Sequence, residues 1–132
     1  MLQLLLAEDN PGDVVLIRTA LSQVDAEMIV ASDGEQAVRY LRSSHFDLVI
    51  LDLNLPKRDG QSILQLFANT PEAPPFVMFS SSVLQSDREL ALLVGAKDYV
   101  VKPTNLDEFV EAVMEIVGRW GKQPTPVPPA RR

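Results

Sequence analysis

The sequence predicts an α/β protein, a doubly wound (βα)5 sheet, from three observations. Short apolar runs recur five times, amphipathic segments with helix-start signals separate them, and the runs return at a regular pitch. The runs fall at residues 2–7, 28–31, 48–51, 76–79 and 99–101. They are continuous rather than alternating, as expected of parallel strands covered on both faces. Taken from positions 2, 28, 48, 76 and 98, the strand starts lie 26, 20, 28 and 22 residues apart. That is the pitch of βα units with right-handed crossovers.

The helices follow in order. After the first run, Asn10-Pro11-Gly12-Asp13 offers a cap and a proline at the first helical position, with Val14, Ile17, Leu21 and Val24 at helical spacing. Val15 breaks that stripe and is expected at the surface. Asp33 with Gln36 opens a second helix burying Ala37, Val38 and Leu41, and Asp59-Gly60 precedes a third with Ile63, Leu64 and Phe67. Ser86 with Glu89 and Asn105 with Glu108 form capping-box patterns. The first leads to Leu90, Leu93 and Val94, the second to Phe109, Val113, Ile116, Val117 and Trp120. Gly95 and Gly118 stand where helix stops are expected, and Trp120 reads as a helix-end packing residue.

Composition limits the function. The chain has 132 residues, suited to one domain, and 46% hydrophobic residues, enough for a packed core. Its net charge is −6, and the last twelve residues hold three basic groups and no acid, so the body is more acidic still. Such a body repels phosphate backbones, and no DNA binding is expected of it. The absence of cysteine removes disulfides and thiolate chemistry. The apolar start meets Glu8 and Asp9 at once without a basic leader, and no run is long enough to span a bilayer, so a cytoplasmic protein without membrane attachment is expected. Residues 1–120 form the predicted domain. Residues 121–132, with four of the ten prolines, form a proline-rich basic tail read as an extended terminus.

Polar residues cluster where such a sheet binds ligands, outside the carboxyl ends of the strands where strand order reverses. Glu8 and Asp9 follow the first strand, Asp52 the third, Ser80 the fourth and Lys102 the fifth. Taken singly, each has a bland explanation as a cap, a turn former or a solvated charge. Their conjunction at four strand ends is harder to dismiss. If the order is 2-1-3-4-5, three carboxylates converge, and two like charges ~4 Å apart cost on the order of 4 kcal/mol at an effective dielectric of 20. A hard divalent cation resolves the conflict, and a few carboxylates plus water suit Mg2+. A carboxylate beside Mg2+ with a lysine opposite is suited to accepting a phosphoryl group as an acyl phosphate. Asp52 is then the nucleophile, Glu8 and Asp9 hold the metal, and Lys102 pairs with the incoming phosphate. Ser80 donates its hydroxyl to a phosphoryl oxygen, while small Ser81 leaves room and offers an N–H.

These stretches, with Pro56, Gly60, Gly95-Ala96 and Tyr99 through Lys102-Pro103, resemble response-regulator receiver domains, the phosphoacceptor half of two-component signalling. The resemblance covers residues 2 to about 120, and the spacings of 28 from Asp52 to Ser80 and 22 from Ser80 to Lys102 look like the family's own. The loop Glu8-Asp9-Asn10-Pro11-Gly12-Asp13 looks like that of free-standing chemotaxis-regulator-like receivers that include partners of bacterial phytochrome kinases. The resemblance implies a flavodoxin-like five-stranded sheet of order 2-1-3-4-5 and Asp52 as the phosphorylation site. It further implies the Asn54 backbone carbonyl as an additional metal ligand, a cis Lys102-Pro103 bond, and Ser80 with Tyr99 as the switch pair. In that switch the hydroxyl moves to the phosphoryl group and the ring turns inward.

The implied protein is a phosphoacceptor switch rather than an enzyme, except in catalysing its own phosphorylation and dephosphorylation. Its implied partners are a histidine kinase or phosphotransfer protein and an unknown downstream protein, with the chain a monomer or a phosphorylation-dependent homodimer. Two rivals use related chemistry. A Mg2+-dependent aspartyl-phosphate phosphatase or phosphotransferase would place a D-x-D pair after its first strand and add a cap domain. A flavodoxin-like cofactor binder would want a glycine- or hydroxyl-rich phosphate loop there.

Overall fold

A computed structural model describes residues 1–121; the predicted tail from 122 onward lies outside the described residues. Ten elements alternate along the chain: β1 (Leu2–Ala7), α1 (Pro11–Ala20), β2 (Ala26–Ala31), α2 (Gly34–Ser43), β3 (Leu48–Leu51), α3 (Gly60–Phe67), β4 (Phe76–Ser80), α4 (Gln85–Val94), β5 (Asp98–Val101) and α5 (Leu106–Trp120). All strand pairs are parallel, in the order β2-β1-β3-β4-β5. The fold is the flavodoxin-like (βα)5 arrangement expected, with the chain reversing direction across the sheet between β1 and β3.

Strand alternation divides the core in two. Leu4, Leu6, Leu48, Ile50, Val77 and Phe79 face α1 and α5, where Phe79 and Phe109 meet edge to face with ring centres 5.1 Å apart. Leu5, Ala7, Val49, Leu51, Phe76 and Met78 face the layer of α2, α3 and α4. Burial on both sides explains why the strands read as continuous apolar runs.

Capping follows the sequence at four helices. Asn10, Asp33, Asp59 and Asn105 accept the N–H groups of Asp13, Gln36, Ser62 and Glu108. At α4 the expectation fails. The helix begins at Gln85, and Ser82, not Ser86, organises its start: the Ser82 hydroxyl accepts from Leu84 N–H at 3.3 Å and donates to Asp87 at 2.5 Å. Glu89 instead accepts from the Gln85 side chain.

The inner face of α4 also differs from the expected stripe. Ala91 is fully buried, whereas Leu90 and Leu93 are 46% and 83% exposed. Two long-range bonds fix the helix's rotation: Gln61 Nε2 donates to Asp87 O, and the Arg88 guanidinium donates to Tyr99 O. Ala91 and Tyr99 belong to the same buried cluster on this face of the sheet. Gly95 ends α4 at φ 130°, as predicted. Gly118 does not end α5; the helix runs to Trp120 and is capped at Gly121. Trp120 packs at the helix end, its indole N–H 3.4 Å from Asp98. Val15 is exposed, as its break in the pattern suggested.

Candidate functional site

The carboxyl edge of the sheet delivers the site. Glu8 N–H bonds Ala31 O and Asp52 N–H bonds Ala7 O, so the ladder is extended by one residue beyond β1 and β3 and both carboxylates are set side by side. Lys102 N–H bonds Ser80 O and brings the lysine in from the far side. The loop after β3 is clasped from two directions. Gly60 N–H bonds Leu53 O, and a side chain at Gly60 would stand 2.6 Å from the Asp52 carbonyl. Gly34 N–H bonds Pro56 O, where any Cβ would meet the Arg58 carbonyl at 1.9 Å. Arg58 pairs with Glu35 at 2.9 Å, and Lys57, in the left-handed region at φ 71°, reaches Asp33 at 3.5 Å. These links hold the Asp52–Asp59 loop against the start of α2.

Lys102 Nζ donates to Glu8 Oε1 at 2.6 Å, Asp13 Oδ2 at 2.9 Å and Asp52 Oδ2 at 3.1 Å. An ammonium has three N–H donors, and all are used. Glu8 and Asp52 are buried, Asp9 is exposed, and the three offer carboxylate oxygens all within 4.8 Å of one another. Removal from water pushes the Glu8 carboxyl up to about 7; the Lys102 hydrogen bond opposes that rise and the Asp52 charge adds to it. Its carboxylate partners hold the Lys102 ammonium above its ordinary value despite burial, so it stays charged at neutral pH.

Above these groups lies a cleft of about 600 Å³, lined by Glu8, Asp9, Asp13, Asp52 and Lys102 with Asn54 and Ser81 on its rim. Asn54 N–H leans on Asp52 Oδ1 at 3.3 Å. Ser80 is fully buried; its hydroxyl accepts from Ser82 N–H at 3.2 Å, and Ser81 rather than Ser80 lines the cleft. Tyr99 is 3% exposed and its hydroxyl donates to Ser82 O at 3.0 Å, so the ring already lies inward. Pro103 lines the cleft, but the expected cis Lys102-Pro103 bond is not found: no peptide bond among the described residues is cis. The trans form is the lower-energy one for X-Pro by about 0.5–1 kcal/mol, and from it Lys102 still reaches three carboxylates.

Asp13 is the residue that sequence reasoning missed. It read there only as part of a helix start, and its contact with Lys102, 89 positions away, is made by packing that no local pattern announces. The donor set is all oxygen, compact and over-acidic, which fits a hard divalent cation better than a soft one.

The chain is 35% identical over 125 residues to the transcriptional regulatory protein CpxR of Escherichia coli K12, covering 93% of this chain and 53% of CpxR. It is 32% identical over 120 residues to the probable transcriptional regulator ycf27 of Porphyridium aerugineum, covering 91% of this chain and 50% of that protein. The chain thus spans about half the length of these relatives. Among solved structures, the phosphorylated cyanobacterial phytochrome response regulator RcpA superposes with a TM-score of 0.85 at 33% identity, covering 90% of this chain and 93% of RcpA. The Mn2+-bound form of response regulator Rcp1 does so at 0.84 and 29%, covering 95% and 98%. Residues 4–114 match the response regulator receiver domain, and the chain belongs to that family, the receiver domains of two-component response regulators.

Proposed function

We propose that Asp52 is the phosphoryl acceptor of this receiver and that Glu8, Asp9 and Asp52, with the Asn54 carbonyl, hold Mg2+ beside it. A carboxylate oxygen of Asp52 attacks phosphorus on a phosphohistidine of the donor, the P–N bond breaks, and an acyl phosphate forms as the imidazole leaves with the electron pair. The divalent cation, when bound, supplies charge neutralisation for the phosphoryl oxygens. Lys102 gives up a carboxylate to pair with one of those oxygens, Ser81 offers its N–H, and Ser80 turns its hydroxyl from Ser82 to another. The observation that carries this reading is the meeting of three carboxylates and one ammonium at the ends of β1, β3 and β5.

Phosphorylation adds roughly −1.5 to −2 charges at that point. Ser82 is the joint through which the change reaches the surface. It bonds Ser80 through its N–H, Tyr99 through its carbonyl and Asp87 of α4 through its hydroxyl. Drawing Ser80 away loosens the start of α4 and shifts the balance between two packings of α4 and β5. The donor is a histidine kinase or phosphotransfer protein, and the likeness to RcpA favours a phytochrome-linked one. The output is a changed surface read by another protein.

Mass spectrometry of the full chain after acetyl phosphate and Mg2+ tests the chemistry. One added phosphate, stable to acid, labile to base and absent from Asp52→Asn, is expected. A wild-type chain left unmodified with metal present would overturn the assignment.

A further inference from the structure

One carboxylate in the cleft has no part in the chemistry just described. Asp13 lies in the first turn of α1, and the helix cap uses its backbone N–H, held by Asn10 Oδ1 at 3.1 Å, rather than its side chain. That side chain is turned instead toward Lys102, 89 positions away in the chain, and is 21% exposed. It stands outside the trio of carboxylates whose oxygens lie within 4.8 Å of one another. Of the three acceptors on the Lys102 ammonium, Glu8 and Asp52 belong to that trio and Asp13 alone does not.

A cation entering the cleft must compete with Lys102 for Glu8 and Asp52. The lysine can release them only if another acceptor holds its charge, because a largely buried ammonium stripped of partners is costly. We propose that Asp13 is a positioning residue for Lys102. It retains the ammonium at the α1 wall while Glu8 and Asp52 turn to the cation, and it keeps the lysine beside Asp52 for the phosphoryl oxygen that follows. The proposal rests on the metal reading above.

Calorimetric titration of Mg2+ into the full chain tests it with wild type, Asp13→Asn, Lys102→Met and the double variant. Asparagine keeps the shape of Asp13 and loses its charge, leaving a weaker acceptor. With Lys102 present, D13N is expected to weaken Mg2+ binding about tenfold, the scale of one charge-assisted hydrogen bond. In the Lys102→Met background the same change is expected to cost less than about threefold, since only the loss of a partly exposed charge remains. Equal losses in both backgrounds would overturn the proposal, because Asp13 would then act on the cation through its charge alone; tighter Mg2+ binding by D13N would overturn it too, because Lys102 would then release Glu8 and Asp52 without that acceptor. Asp13→Ser repeats the comparison should the asparagine variant not fold. Absence of Mg2+ binding by the wild type would remove the metal reading itself, whereas binding without dependence on Lys102 removes only the role of Asp13.

Discussion

The two ends of the sheet hold clefts of similar volume, about 600 Å³ at the carboxyl end and about 530 Å³ at the amino end, and they treat charge in opposite ways. The amino-end cleft lies between the end of α2 and the loop before β4, walled by Leu41, Phe46, Phe67 and Phe76 with Arg42, His45 and Glu72 around them. Beside it, Asp47 accepts the Gln3 N–H at 2.8 Å and lies 3.6 Å from exposed His45, so that acid ties β1 to β3. At the carboxyl end, Glu8 and Asp52 are buried and, with Asp13, share a single ammonium. The difference shows that size does not mark the site. Desolvated charge in excess of its partners does, because packing alone has no reason to tolerate it.

The largest expected break in this contrast is Lys102→Met. Removing the ammonium leaves Glu8 and Asp52 buried without their cation, and without metal the variant should lose about 3 kcal/mol of unfolding free energy. Urea titration checks this, and millimolar Mg2+ should restore part of the loss, since a ligand of the native state alone stabilises it.

A smaller effect comes from pH. The Glu8 carboxyl titrates at about 7 when folded, above its ordinary 4.5. Between those values the folded chain binds the extra proton, so metal-free stability should fall as pH rises from about 4.5 and level off above about 7. Glu8→Gln should flatten that slope in thermal melts across the range; an unchanged slope would point to another group. The Lys102 contribution is present throughout the window, because its raised value keeps it charged.

The smallest effect belongs to the other cleft. Glu72→Gln should change stability by less than about 0.5 kcal/mol and leave Mg2+ affinity unaltered, as measured by melting and calorimetry. A large effect on either would erase the distinction between the two ends.

Much of this was legible from residue order, and the exceptions have physical causes. The strands were visible because burial on both faces makes an unbroken apolar run. Four helix starts were visible because a cap is a contact between residues three apart. At α4 the signal failed. Residues 90–94 are apolar throughout, so periodicity could not tell the inner face, and the bonds from Gln61 and to Tyr99 that set its rotation come from other elements. Gly118 misled for a different reason: a glycine facing open space, with nothing within 4 Å of where its Cβ would stand, does not oblige a helix to stop, and α5 runs on to its cap at Gly121. The Lys102-Pro103 bond was expected cis by analogy, and no local feature of the chain required it.

In the candidate site, Glu8, Asp9, Asp52 and Lys102 could be singled out because strand ends in such a sheet converge by topology. The sequence alone determined the layering of the fold, the edge at which the acids gather and the excess of negative charge there. Those properties follow from short-range patterning and a count of charges. The tertiary structure decided which acids share Lys102, that Asp13 is one of them, that Ser80 is turned to Ser82, and that Tyr99 lies inward. Each of these depends on angstrom-scale distances between residues far apart in the chain, set by packing across the whole sheet.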